Sequence, residues 1–132
     1  MAQTPQQAPI GVSVRADGVW EKQTPAYPLA QVQQIVALHG IAVFGVSAIQ
    51  GVVAMGLSGA QAMAAIAALD TGCFYKSMTA ENDTSKTLWQ DVYRAVTPVG
   101  AAYVKFMVWQ PPARDSRTAR PPPKLVISFK RL

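Results

Sequence analysis

Lys76, Gln90, Tyr103, Lys105 and Lys130 are the residues whose types and positions suggest chemistry in this chain. Each stands in a short segment of strand character. Lys76 lies in CFYKSMT (73–79), Gln90 in TLWQDVYR (87–94), Tyr103 and Lys105 in AYVKFMVW (102–109), and Lys130 in LVISFK (125–130), with Arg94 ending the second segment. Side chains alternate between the two faces of a strand, so the polar members of such segments can gather on one side of a sheet. The set suits cleavage of RNA by its own 2′-hydroxyl, which needs neither a metal nor a nucleophile from the protein. It needs a base near the 2′-oxygen, an acid near the leaving 5′-oxygen and cations on the phosphate. Lysine can neutralise the charge of the pentacovalent state. Tyrosine and lysine move protons where their surroundings shift their pKa values. Tyr75, Trp89 and Tyr103 offer rings on which splayed bases can stack. The residue types do not say which group is base and which is acid, and they also fit a non-catalytic basic RNA- or DNA-binding module.

Other chemistries lack their residues. The single cysteine, Cys73, excludes an internal disulfide framework and a cysteine-based zinc site. The single histidine, His39, excludes mechanisms needing two histidines in one chain and is expected to serve the C-terminal turn of a helix. The glycine patterns of phosphate and dinucleotide loops are missing, as are GxSxG and HExxH, and the carboxylates are scattered. No metal and no cofactor is therefore expected.

The elements that must position these residues follow from composition and pattern. A chain of 132 residues, 50% apolar and 14% charged, is one domain's worth of foldable sequence. Its formal charge of +5 is uneven. Up to residue 70 there are two basic residues against three acidic ones, and after it ten against four, which suggests a polyanionic partner for the C-terminal half. Residues 1–19 read as a flexible tail, low in apolar content and carrying two prolines, in preference to a short extra strand around Ile10–Val14, and residues 20–132 as the folded domain. From Gln23 to Leu69 no residue is charged apart from the titratable His39. Ser47, Gln50, Gly51, Gly56, Ser58, Gly59 and Gln61 interrupt this stretch, so helices of a core are expected rather than a membrane span. No secretion signal is read at the start, and a cytoplasmic protein is expected.

Three helices fit the uncharged stretch. The first follows Pro28, with Leu29, Val32, Ile35 and Val36 on one side and Gly40 as its stop. The second starts at Ser47 as N-cap and ends before Gly56; the third starts at Ser58, runs through Leu69 and stops at Asp70–Gly72. The four strand segments follow, joined by turns at 80–86 and 97–100. In the third, Val104, Phe106 and Val108 should share one face and Tyr103, Lys105 and Met107 the other. In the fourth, Leu125, Ile127 and Phe129 should oppose Val126, Ser128 and Lys130. The result is an α+β fold, with the N-terminal helices packed on one face of an antiparallel sheet and the other face open. Between the last two strands, QPPARDSRTARPPPK (110–124) is expected to form a basic, proline-rich hairpin arm.

The stretches FYKSM and WQDVYR within 73–94, closed by LVISFK at 125–130, resemble the MqsR family of bacterial toxins. EKQTPAYPLAQVQQIV at 21–36, Ser47-Ala48 and Gly56-Leu57 extend the similarity over about residues 20–132. The resemblance implies a RelE-like toxin fold and a ribosome-independent endoribonuclease that cuts single-stranded mRNA at short GC-containing sequences. It also implies a cognate antitoxin with a zinc-binding part and a helix-turn-helix part. On this chain the family's implicated residues fall on Lys76, Gln90, Tyr103 and Lys130, with Tyr75, Arg94 and Lys105 as supporting RNA contacts.

Overall fold

The computed structural model describes residues 7–81, 83–109 and 124–132. Three helices cover one face of a six-stranded, wholly antiparallel sheet whose spatial order follows the chain. The strands are β1 (Val12–Val14), β2 (Trp20–Lys22), β3 (Phe74–Thr79), β4 (Trp89–Thr97), β5 (Gly100–Trp109) and β6 (Lys124–Arg131). The helices are α1 (Leu29–His39), α2 (Val46–Ala54) and α3 (Gly59–Ala67), with a 3₁₀ turn at Gly40–Val43 between the first two.

Helix α1 buries Val32 and Val36 and ends at Gly40, whose φ of +65° suits glycine. Helix α3 opens at Ser58, as expected, with a reciprocal cap: its hydroxyl accepts from the Gln61 amide, and the Gln61 side chain accepts from the Ser58 amide. The other end of α3 is served by α1, because Gln33 Nε2 donates to the carbonyls of Ile66, Ala67 and Leu69. Helix α2 departs from expectation. Its N-cap is Gly45, not Ser47, because the Gly45 amide donates to the Val126 carbonyl of β6 (2.8 Å) and the sheet thereby sets the start of the helix. Among the described residues no helix is long and apolar enough to cross a membrane. Helices α2 and α3 meet at 103° and bury Ala48, Val52, Ala62, Ala65 and Ile66 in the core.

Strand β1 lies within residues 1–19, read from the sequence as a tail. β1 and β2 form a hairpin closed by Arg15–Gly18, in which Asp17 accepts from the Val19 amide and Gly18 takes φ +86°. The strand set aside around Ile10–Val14 thus forms as Val12–Val14; an isolated hairpin of three-residue strands is marginal, and pairing of β2 with β3 supplies its stability. Residues 1–6 and most of the arm at 110–124 lie outside the described residues; Lys124, assigned to the arm, opens β6 instead.

Two irregularities between β5 and β6 break the expected alternation there. In β6, Phe129 pairs with Val104, Ser128 with Lys105 and Val126 with Phe106, so Ile127 is an extra residue. Val126 consequently joins Leu125 and Phe129 in the core rather than sharing a face with Ser128 and Lys130. A second register shift between Phe106 and Trp109 leaves Val108 exposed, although it was expected beside Phe106. On the covered side, Asp91 of β4 is only 1% exposed and accepts from the Ala26 and Tyr27 amides, both at 2.9 Å. Hydrogen bonds to a charged acceptor contribute about 1.5–3 kcal/mol each, so this carboxylate fastens the segment leading into α1 onto the sheet.

The closest approach in the fold is between α2 and β6. A β-carbon on Gly51 would lie 1.6 Å from the Phe129 carbonyl oxygen, which is backbone and cannot turn away. At Gly59, in the first turn of α3, the nearest atom would be Ile41 Cδ1 at 3.4 Å. Gly51→Ala should therefore destabilise the protein by about 3 kcal/mol or more in urea unfolding. Gly59→Ala should be neutral or stabilise by about 0.5 kcal/mol. Equal effects of the two substitutions would contradict the helix–strand contact.

Candidate functional site

Strand register aligns the polar residues on the face opposite the helices. One row runs Glu21, Met78, Gln90 across β2, β3 and β4. The next runs Lys76, Val92, Lys105, Ser128 across β3 to β6, and a third runs Arg94, Tyr103, Lys130 across β4 to β6. The register between β3 and β4 shifts between Phe74 and Lys76, so Tyr75 is an extra residue. The shift brings its ring beside the cations of this face while Phe74 stays edge-on to Tyr93. The structure thus gathers Lys76, Gln90 and Tyr103, together with Tyr75, Arg94, Lys105 and Lys130, on one open face. Trp89, also considered for base stacking, lies on the opposite side of β4, with Lys22 Nζ 4.4 Å from its ring centroid.

Each tyrosine on the open face stands between two cations. Arg94 lies 4.3 Å and Lys76 Nζ 5.2 Å from the centre of the Tyr75 ring; Lys130 Nζ lies 5.4 Å and Lys105 Nζ 5.7 Å from that of Tyr103. Beneath them is a small apolar floor of Val19, Met78 and Val92, against which Tyr103 packs. Val19 comes from the β1–β2 hairpin, so the hairpin helps to desolvate the cation cluster.

The floor shifts proton affinities in opposite senses for acid and base. Burial lowers the pKa of Lys105, and the like charges of Lys130, Lys76 and Arg15 lower it further, with Glu81 opposing them. Burial raises the pKa of Tyr103. Tyr75 and Glu21 add to the rise, while Lys76 and Arg15 oppose it. The Tyr103 hydroxyl therefore keeps its proton at neutral pH and is a donor there. Lys105 releases its proton more readily than an ordinary lysine does.

Lys76 is held by an ion pair absent from the expected site. Its Nζ donates to Glu21 Oε2 at 2.5 Å, and both side chains are 19% exposed. Sequence reasoning missed Glu21 because 55 residues separate it from Lys76 and because β2 lay at the edge of the supposed tail. Only the pairing of Glu21 with Met78 reveals it. Arg15 was missed for the same reason; it acts on Tyr103 and Lys105 while paired with Asp17 at 2.8 Å. Among the described residues no group of three or more histidine, cysteine, aspartate or glutamate side chains could hold a metal ion. A cleft of about 440 Å³, lined by Pro25–Leu29, Thr71, Phe74 and Tyr93, contains none of the candidate residues.

A family described as motility quorum-sensing regulator, toxin of MqsA, matches residues 24–131. The mRNA interferase toxin MqsR of Escherichia coli (strain K12) is 36% identical over 88 residues, which span 67% of this chain and 87% of that protein.

Titration of the lysine side chains followed by NMR at Cε tests the electrostatics of this face. Lys105 should titrate below the ordinary lysine value. Lys130→Met removes a like charge and should move its midpoint up, whereas Glu81→Gln removes an opposite charge and should move it down. An unmoved midpoint in Lys130→Met would show that the two ammonium groups do not interact.

Proposed function

The chain belongs to the MqsR toxin family, and from that premise we propose that it is the toxin of a type II toxin–antitoxin pair, an endoribonuclease that cuts single-stranded mRNA in the cytoplasm and so arrests translation and growth. The observation that carries this reading is the gathering of Lys76, Arg94, Lys105 and Lys130 around two tyrosine rings on the uncovered face of the sheet. Cations spaced across adjacent strands suit a phosphate backbone, and rings on the same face suit the bases of a single strand. The architecture is read as that of RelE-type toxins. Cleavage is read as independent of the ribosome and of metal, at short GC-containing sequences. The partner is read as an antitoxin with a zinc-binding part and a helix-turn-helix part.

The substrate supplies its own nucleophile, the 2′-hydroxyl, so the protein's task is to position the strand, move protons and neutralise charge. Lys76 binds the scissile phosphate and stabilises the negative charge that builds on it. Gln90, one residue pair further along β4, hydrogen-bonds the RNA and orients the 2′-hydroxyl. Tyr103, protonated at neutral pH, donates a hydrogen bond or a proton and presents its ring to a base. Lys105 and Lys130 hold neighbouring phosphates, with Tyr75 and Arg94 at the flank. Neutralisation of Lys105 begins below the ordinary lysine range, so RNA affinity should weaken as pH rises through that range.

Cleavage of a single-stranded RNA should persist in EDTA and leave 2′,3′-cyclic phosphate ends. Loss on chelation, restored by a divalent ion, would overturn the metal-free reading. Lys76→Ala should lower kcat by about 10²–10³-fold, on the scale of one transition-state donor, and abolish growth inhibition in cells lacking the antitoxin. A non-catalytic RNA-binding module would instead lose only about one contact's worth of affinity in the same variant, and its salt slope would fall by about 0.7.

A further inference from the structure

Of the carboxylates carried by strands, Asp91 faces the covered side and is engaged with the Ala26 and Tyr27 amides, so Glu21 is the one that faces the cation cluster. It is fixed there by the sheet and by Lys76. β2 pairs with β3 through Glu21 and Met78, and Lys76 Nζ holds Oε2 at 2.5 Å. Both groups are largely withdrawn from water, at 19% exposure each. The second carboxylate that acts on the cluster, Glu81, is exposed in the loop after β3 and reaches Lys105 through its charge.

From this arrangement we propose that Glu21 is the general base of the cleavage reaction, taking the proton from the attacking 2′-hydroxyl. The proposal rests on the ribonuclease reading above. An ammonium carries three donors, so Lys76 can keep its bond to Glu21 while a second N–H binds the scissile phosphate. A phosphate bound in that way brings the adjoining ribose next to the carboxylate. Of the groups around this ammonium, Tyr103 has its pKa raised by burial and Lys105 is a cation. Glu21 is thus the carboxylate placed beside the phosphate-binding ammonium to receive the proton. In the step, the proton leaves the 2′-oxygen for Glu21 as the 2′-oxygen bonds to phosphorus. The bond from phosphorus to the 5′-oxygen breaks, and that oxygen takes a proton from an acid of the opposite group, Tyr103 or Lys105. The products are a 2′,3′-cyclic phosphate and a 5′-hydroxyl, and Glu21 returns its proton to solvent.

The test compares Glu21→Gln with the unaltered protein on a single-stranded oligoribonucleotide and on the same oligonucleotide with a bridging 5′-sulfur at the cleaved bond. The glutamine can still accept from Lys76 but cannot take a proton, and an unchanged unfolding curve verifies that the hairpin is intact. Loss of a general base should lower kcat by about 10²–10⁴-fold with KM unchanged or lower. The defect should persist on the thio substrate, whose leaving group needs no acid, whereas Tyr103→Phe or Lys105→Met, whichever removes the acid, should be rescued by it. Glu21→Asp, with its shorter reach, should fall between the two. A rate within tenfold of the unaltered protein, or rescue of Glu21→Gln by the thio substrate, overturns the base role alone. If the unaltered protein cleaves no RNA, the ribonuclease reading falls and the base role falls with it.

Discussion

The contact of α2 with β6 at Gly51 governs the two-sidedness of the fold. A helix can lie this close to a strand only where its facing residue has no side chain, since a β-carbon would enter the Phe129 carbonyl. The Gly45 amide on the Val126 carbonyl and the short bridge between Phe44 and Val126 fix the same edge from the other end of the helix. With α2 seated, Val126 and Phe129 are enclosed in the core. The residue after Phe129 then points away from the helices, and that residue is Lys130. A contact on the covered side thus determines which side chains of β6 remain available on the open one.

The chain's charges are sorted across the sheet in the same way. The helical layer contributes no formal charge from Gln23 to Leu69, so it can be buried without stranding ions. The one carboxylate of β4, Asp91, is turned inward and compensated by two backbone amides. It also helps to raise the pKa of Tyr93 to about 12, behind burial as the larger cause, which keeps that core hydroxyl neutral. The open face receives Lys76, Arg94, Lys105 and Lys130, and the strand-borne carboxylate beside them, Glu21, is paired. The clustering of lysines and arginine on that face is therefore a consequence of what the core excludes as well as of what the strands present.

The β1–β2 hairpin makes this cationic surface more than a solvated patch. Val19 closes a floor with Met78 and Val92 under Tyr103. Burial beside that floor moves the proton affinities of a tyrosine and a lysine two residues apart along β5 in opposite directions, both towards the neutral form. Without the hairpin the floor would lose Val19, and the same residues would be more open to water and to screening.

The residue types of the candidate site, the α+β class, the number of helices and the four long strands were all legible in the sequence. These depend on local quantities: alternation of apolar and polar residues, a helix start at Ser58, and glycine stops. The placement of Lys76, Gln90, Tyr103, Lys105 and Lys130 on one face also follows from period-two alternation within each strand, provided the strands pair in register. What alternation cannot reveal is where it fails. The extra residues at Tyr75 and Ile127 arise because the partner strands need a local shift, and they decide that Tyr75 joins the site and Val126 the core. Nor could the sequence show that Gly45 rather than Ser47 starts α2, or that a hairpin of two three-residue strands, one inside the supposed tail and one just after it, brings Val19 and Glu21 to the site. Those outcomes belong to pairings between residues tens of positions apart. Their free energy exists only once both partners are in place, and only the tertiary structure decides them.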